Sequence, residues 1–202
     1  MSQGKAHIVD DDSAVRESLS LLLRSVGIES CAYGSAQEFL AAWSPDMSGC
    51  LILDIRMPGM SGLDLQQTLQ DRQSTLPILF MTGHGDVAMA VRAMRAGALD
   101  FIEKPFRDQE LIDRVHQALA LDAERQAAHA ARREIQRRLA LLTPREREIM
   151  DRIVEGHANK VIALDLGLSE RTVEIHRARV MTKTEAHSVA ELVRMVTLAR
   201  SG

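Results

Sequence analysis

Three consecutive carboxylates, Asp10-Asp11-Asp12, follow the apolar run Ala6 to Val9, and another, Asp54, follows the run Cys50 to Leu53. Thr82 follows the run Ile78 to Met81, and Lys104 lies just past Leu99 to Ile102, before Pro105. Carboxylates gathered in one place raise one another's pKa and resist ionising together unless a cation sits among them. Hard oxygen ligands, with water completing an octahedron, suit Mg²⁺. A carboxylate nucleophile, a divalent metal, an ammonium and a hydroxyl together can take up a phosphoryl group and neutralise its charge. Singly, each residue has a plainer role, since strand-end Asp residues often cap the next helix and a lone Lys is usually solvated. The order of all of them at successive run ends is what points to phosphoryl chemistry.

For these side chains to meet, the runs that carry them must lie side by side. Through the first 120 residues, short apolar runs alternate with helical patterns: Ala6 to Val9 then Ser13 to Val26, Glu29 to Tyr33 then Ala36 to Trp43, and Cys50 to Leu53 then Leu63 to Gln70. Ile78 to Met81 then Val87 to Ala96, and Leu99 to Ile102 then Gln109 to Leu121, complete five repeats. Continuous apolar strands followed by helices indicate a doubly wound α/β fold, a five-stranded parallel sheet covered on both faces, whose sites lie at the strands' C-terminal ends. Asp10, Asp11 and Asp54 are expected to converge there.

Phe106 to Thr143 contains no Gly or Pro and is rich in Ala, Leu, Glu and Arg, all strong helix formers. One helix of some 33 residues, roughly 50 Å long at about 1.5 Å per residue, is expected; the alternative is a break into two helices near Asp122. Leu111, Ile112, Val115 and Leu119 give this helix a packing face, which turns to alanine after Leu121, so the segment reads as a semi-rigid linker. Beyond it, Thr143-Pro144-Arg145-Glu146 sets out an N-cap, an N1 proline and a capping-box Glu. A second helix is expected over Ala158 to Leu166, a tight turn at Gly167-Leu168-Ser169, a third helix capped by Ser169 and running to about Lys183, and a fourth opened by the capping box Ser188 to Glu191. Four short helices, two of them joined by a Gly-containing turn, describe an all-α helix-turn-helix module.

The composition is 46% hydrophobic and 26% charged, which excludes disordered and collagen-like classes. No apolar run approaches the roughly 20 residues of a membrane span, and the N-terminus lacks signal-peptide order, so a cytoplasmic protein with no membrane partner is expected. Cys31 and Cys50 match no metal-ligand spacing and read as free thiols. Residues 1–121 carry 10 Lys and Arg against 16 Asp and Glu, and the remainder 15 against 12. The front half is therefore acidic and the rear modestly basic, as suits a metal-binding unit joined to one that meets a polyanion.

Residues 1 to about 121 resemble the receiver domain of two-component response regulators. Ile8-Val9-Asp10-Asp11-Asp12, Leu53-Asp54-Ile55-Arg56-Met57-Pro58-Gly59, Met81-Thr82-Gly83-His84-Gly85 and Glu103-Lys104-Pro105-Phe106 carry the likeness. The resemblance implies that Asp54 accepts a phosphoryl group from a histidine kinase and that Asp10, Asp11, Asp54 and the Arg56 carbonyl hold Mg²⁺. It implies that Thr82 and Lys104 bind the phosphoryl oxygens, that Phe101 is the switching aromatic, and that the bond after Lys104 is cis. Asp12, outside the family's acidic pair, reads as the cap of the first helix, and His84 as a flexible loop position.

On a helical wheel of Arg171 to Lys183, Val173, His176 and Val180 gather on the core side, and Arg171, Glu174, Ile175, Ala178 and Thr182 lie opposite. Thr172, Arg179 and Lys183 form one flank and Arg177 the other. Such a strip suits a major-groove reader: small side chains for close approach, apolar contact for thymine methyls, a carboxylate for cytosine N4, and flanking cations for phosphates. Residues 140–199 resemble the LuxR/NarL-type DNA-binding domain, through Leu142 to Glu148, Asn159-Lys160-Val161-Ile162-Ala163 and Ser169 to His176. With the receiver in front, and with Gly83-His84-Gly85-Asp86-Val87, the whole chain resembles the FixJ subfamily. The resemblance implies DNA contacts from the third helix together with Asn159 and Lys160, dimerisation through Val189, Leu192, Val193 and Val196, activation by phosphorylation, and RNA polymerase as a partner. Some members carry lysines where this chain has Glu174 and Ala178, so an operator sequence does not transfer.

The expected organisation is a receiver over residues 1–121, a helical linker over 122–139 and the DNA-binding domain over 140–202. The protein is expected not to be an enzyme beyond its own phosphoryl transfer and dephosphorylation. Two other functions are set against this reading. A dehalogenase-type aspartyl-phosphate hydrolase would carry a second Asp two residues after its nucleophile, where this chain has Arg56. An adaptor whose rear helices bind protein would fail to retain random genomic DNA on a filter.

Overall fold

A computed structural model describes residues 4–83 and 87–200, without the Val87 side chain. Strands β1 (Lys5–Val9), β2 (Ser30–Tyr33), β3 (Gly49–Asp54), β4 (Ile78–Thr82) and β5 (Asp100–Glu103) alternate with helices α1 (Ser13–Ser25), α2 (Ala36–Ala42), α3 (Gly62–Asp71), α4 (Val87–Arg95) and α5 (Asp108–Ala140). The strands form one parallel sheet in the order β2-β1-β3-β4-β5. Because side chains alternate across a strand, β3 feeds two cores. Leu51 and Leu53 meet Phe39, Leu65, Leu69 and Phe80 on one face. Cys50 and Ile52 meet Leu19, Leu23, Leu111 and Val115 on the other. A strand buried on both sides has no polar alternation to show, which is why the sequence reads there as an unbroken apolar run.

Caps set the helix starts. Asp12 accepts from the Ala14 N–H and opens α1, as expected of it. Ser35 caps α2, and Ser61 forms a reciprocal capping box with Asp64 on α3. Gly62 seats that helix against the end of β3: a Cβ there would stand 2.2 Å from the Asp54 carbonyl oxygen, so no larger residue fits without displacing the strand end.

Helix α5 is continuous, with no break near Asp122. Two compact units divide the chain, Met1–Gln126 and Ala127–Gly202. In the second, α6 (Pro144–Val154), α7 (Asn159–Leu166), α8 (Glu170–Thr184) and α9 (Val189–Arg200) enclose a core of Ile149, Ile153, Ile162, Val173, Val180, Leu192 and Val196. Ile135 and Leu139, from the last turns of α5, pack against that core. Thr143 and Glu146 make the expected capping box with Pro144 at the helix start. Gly167, at φ 64°, turns the chain between α7 and α8. Ser188 accepts from the Glu191 N–H, but the Glu191 carboxylate accepts from the His187 N–H rather than from the cap itself.

Candidate functional sites

Parallel pairing of β1 with β3 sets Val9 beside Leu53, which brings Asp10 and Asp54 to the same edge of the sheet. The Lys104 ammonium lies between them, 2.8 Å from Asp10 Oδ2 and 2.7 Å from Asp54 Oδ1. The cation that lets two carboxylates stay side by side is thus, in this structure, a lysine. Lys104 reaches them from just past β5, whose end is tied to β4 by a bond from the Lys104 N–H to the Thr82 carbonyl, 2.7 Å. The peptide bond between Lys104 and Pro105 is cis, as expected. Thr82 is buried at the end of β4.

Backbone donors fix the remaining oxygens. Asp10 Oδ1 accepts from the Asp12 N–H at 2.9 Å, and Asp54 Oδ2 accepts from the Arg56 N–H at 2.9 Å. Burial pushes the Asp54 carboxyl above its ordinary range, and the neighbouring Asp10 charge adds to this; the Lys104 ammonium and the Arg56 N–H oppose it. Burial disfavours the Lys104 ammonium, yet its hydrogen bonds to Asp10 and Asp54 outweigh that, and its pKa rises. Arg16 also belongs to the site: its Nη1 donates to the Asp10 carbonyl at 2.7 Å and holds the loop after β1.

Asp11 does not join this pair. Its side chain is exposed, and among the described residues no three His, Cys, Asp or Glu side chains are grouped closely enough to hold a metal ion. Of the three expected carboxylates, Asp10 and Asp54 meet at Lys104. In chemical type the donors still fit Mg²⁺: carboxylate oxygens of Asp10, Asp11 and Asp54 and the Arg56 carbonyl are all hard ligands. Phe101, 41% exposed, faces outward from β5 beside Phe80 of β4. His84 lies outside the described residues.

In the rear unit, α8 places its residues as the helical wheel predicts. Val173 and Val180 are fully buried and His176 is half-buried, while Arg171, Glu174, Ile175, Ala178, Arg179 and Thr182 are exposed. Thr172 and Arg177 are half-buried on the flanks. At the start of α7, Lys160 is exposed and Asn159 half-buried. Among the described residues, Arg171, Glu174, Arg177 and Arg179 form no hydrogen bond or ion pair through their side chains. One face of the unit therefore holds uncommitted charges of mixed sign around an exposed apolar residue.

Two sets of expected contact residues are engaged within the unit. Lys183, assigned to the phosphate-contacting flank, bonds Glu146 Oε2 at 2.6 Å and the Leu141 carbonyl at 3.2 Å. Glu146 is nearly buried, and the ion pair with Lys183, joined by the Thr143 N–H, holds its carboxyl down at about 2. Lys183 is committed inside the unit. Leu192 and Val196, assigned to dimerisation, are buried in the unit's own core. Val189 is exposed and Val193 half-buried.

Residues 6–116 match the response regulator receiver domain family, and residues 140–196 match the bacterial regulatory proteins of the luxR family. Transcriptional regulatory protein FixJ of Azorhizobium caulinodans is 50% identical over 96% of this chain and 92% of its own. This chain belongs to the FixJ-type response regulators. It is a receiver domain followed by a LuxR-type DNA-binding domain, and its two units answer to the two matched families. FixJ of Rhizobium meliloti is 46% identical over 96% of each chain. Among solved structures, response regulator StyR aligns with a TM-score of 0.88 at 43% identity, over 97% of this chain and 99% of that one. Full-length FixJ from B. japonicum aligns with a TM-score of 0.60 at 43% identity, over 98% of both.

Three residues escape a reading of the sequence: Arg16, Glu146 as a partner of Lys183, and Asp122, whose Oδ2 accepts from the Gly49 N–H at 2.7 Å. Asp122 alone carries a signal, a carboxylate at the end of an apolar stripe.

Proposed function

We propose that this chain is a phosphorylation-activated, DNA-binding transcriptional regulator of a two-component system, with Asp54 as the residue that accepts the phosphoryl group from a sensor histidine kinase. The observation that carries the assignment is Lys104 bridging Asp10 and Asp54 at the C-terminal edge of the sheet. In the transfer, a carboxylate oxygen of Asp54 bonds to phosphorus while the P–N bond to the kinase imidazole breaks, and the departing imidazole takes up a proton. Hydrolysis later returns the carboxylate and inorganic phosphate, so the receiver catalyses its own loading and unloading. Asp10, Asp11, Asp54 and the Arg56 carbonyl would hold Mg²⁺, which would supply divalent charge to the phosphoryl oxygens. Lys104 and Thr82 donate to those oxygens, and the Arg56 N–H orients Asp54.

Drawing the Thr82 hydroxyl toward the phosphoryl group shifts an existing equilibrium in which Phe101 leaves its outward position. The surface of α4 and β5 changes, and two receivers pair. In the rear unit, α8 enters the major groove of double-stranded DNA with Arg171, Glu174, Ile175 and Ala178 toward the bases. Thr172, Arg177, Arg179, Asn159 and Lys160 meet phosphates. Val189 and Val193 contribute to subunit pairing, RNA polymerase is the partner at promoters, and the protein works in the cytoplasm. Support for this reading comes from the uncommitted charges on α8 and from relatives named as transcriptional regulatory proteins.

Acetyl phosphate with Mg²⁺ tests the acceptor. Wild-type protein is expected to take up acid-labile, hydroxylamine-sensitive phosphate, and Asp54→Asn protein to take up none. Labelling of Asp54→Asn at the wild-type rate would show that another group is the acceptor.

A further inference from the structure

Glu174 and Ile175 stand side by side on the exposed face of α8, with Arg171 a turn before them and Ala178 a turn after. Ile175 is 47% exposed, and the small Ala178 leaves room beside both. Many acidic side chains of this unit are engaged, Glu146 by Lys183, Glu148 by Arg145, Asp151 by Arg200, Glu134 by Arg137 and Arg138, and Glu185 by Arg138, whereas among the described residues Glu170 and Glu174 of α8 are not. Glu174 has arginines three residues away on either side, Arg171 and Arg177, yet among the described residues it pairs with neither.

A free carboxylate on a face that meets DNA is repelled by every phosphate, so it binds favourably only where a base offers it a donor. In the major groove only the cytosine N4 and adenine N6 amino groups donate. Adenine sets its N7 acceptor beside N6, which repels a carboxylate and suits a side-chain amide. Cytosine offers its amino group without such a neighbour on the same base. The thymine methyl is the one apolar feature of the groove floor, and Ile175 is the large apolar side chain exposed next to Glu174.

We infer that Glu174 and Ile175 together read a cytosine beside a thymine in each half-site, with Glu174 accepting from the cytosine amino group and Ile175 covering the thymine methyl. The inference rests on the proposed docking of α8 in the major groove, and it names the bases that this docking selects. It also makes Glu174 a negative element, since the same carboxylate weakens binding wherever that cytosine is missing.

The test is selection from a pool of randomised duplexes by the full-length chain treated with acetyl phosphate and Mg²⁺. Wild type is expected to enrich a C next to a T at one place in each half-site. Glu174→Gln is expected to exchange that C for A, because an amide matches adenine N6 and N7. Glu174→Ala is expected to lose the preference, with about tenfold less discrimination at that position, and to bind random DNA more tightly. Ile175→Ala is expected to lose the adjoining T. Both Glu174 substitutions lie on an exposed face without partners, so unchanged circular dichroism and thermal unfolding verify the fold. If Glu174→Ala recovers the wild-type sequence, Glu174 reads no base and the inference falls while the docking of α8 stands. If wild type recovers no sequence above the random pool, the DNA-binding reading itself falls.

Discussion

Lys183 and Glu146 are 37 residues apart, and each has a sufficient local explanation: Glu146 completes a capping box, and Lys183 lies on the flank of a helix with Arg179. Their ion pair adds what neither position announces. A wheel gives a side chain's azimuth but not the groups packed against it, so Lys183 reads as a free cation until α6 is set beside α8. The same reason hides the outward place of Asp11. Three adjacent carboxylates are legible in the sequence; that Asp10 is the one held by the Asp12 N–H and the Lys104 ammonium is not. The Glu146 pair makes a prediction at this scale. Its carboxyl, ordinarily near 4.5, is held at about 2 in the fold. A depressed carboxyl pKa contributes stability that is complete above about 4.5 and drains away as pH falls toward 2. Glu146→Gln should therefore destabilise α6 and α8 by roughly 1–3 kcal/mol at pH 7, with a smaller deficit at pH 3. Urea unfolding of the full chain, followed through probes placed in α6 and α8, measures both. An equal deficit at the two pH values would mean that the ion pair contributes nothing.

The five repeats, the continuous α5 and the four rear helices are legible in the sequence because strand and helix periods, caps and the absence of Gly and Pro each act within a few residues. What holds one element to another is not. Asp122 shows the difference. Buried on α5, it accepts from the Gly49 N–H at the first residue of β3, the strand that ends at Asp54. Gly49, at φ 119°, leaves no room for a side chain, since a Cβ would stand 1.8 Å from the Lys5 carbonyl oxygen. Nothing in the sequence links the two positions across 73 residues. Gln66 ties elements in the same way, donating from α3 to the Ala93 and Ala96 carbonyls at the end of α4. Asp122→Ala would leave the Gly49 N–H buried without an acceptor, a cost of roughly 1–3 kcal/mol. Asp122→Asn keeps an acceptor and should lose less. Trp43, the single tryptophan, lies in the first unit and reports its unfolding alone. Equal urea midpoints for wild type and Asp122→Ala by Trp43 fluorescence would remove the clasp from the account.

At the scale of the molecule, an acidic unit that carries phosphoryl-handling groups precedes a basic unit whose α8 presents uncommitted charges. The charge asymmetry and the order of the motifs make this division legible in the amino-acid sequence. The share of α5 in the second core is not legible there, because Ile135 and Leu139 interrupt an alanine-rich stripe too sparsely to mark a packing face. The central claim is that loading Asp54 makes the chain pair and grip DNA. Sedimentation of a fluorescently labelled duplex carrying the selected half-sites, with full-length protein and Mg²⁺, reads both consequences at once. With acetyl phosphate, wild type should form a complex of two chains per duplex at protein concentrations where untreated wild type and treated Asp54→Asn leave the duplex free. Equal binding by treated Asp54→Asn and treated wild type would contradict the account.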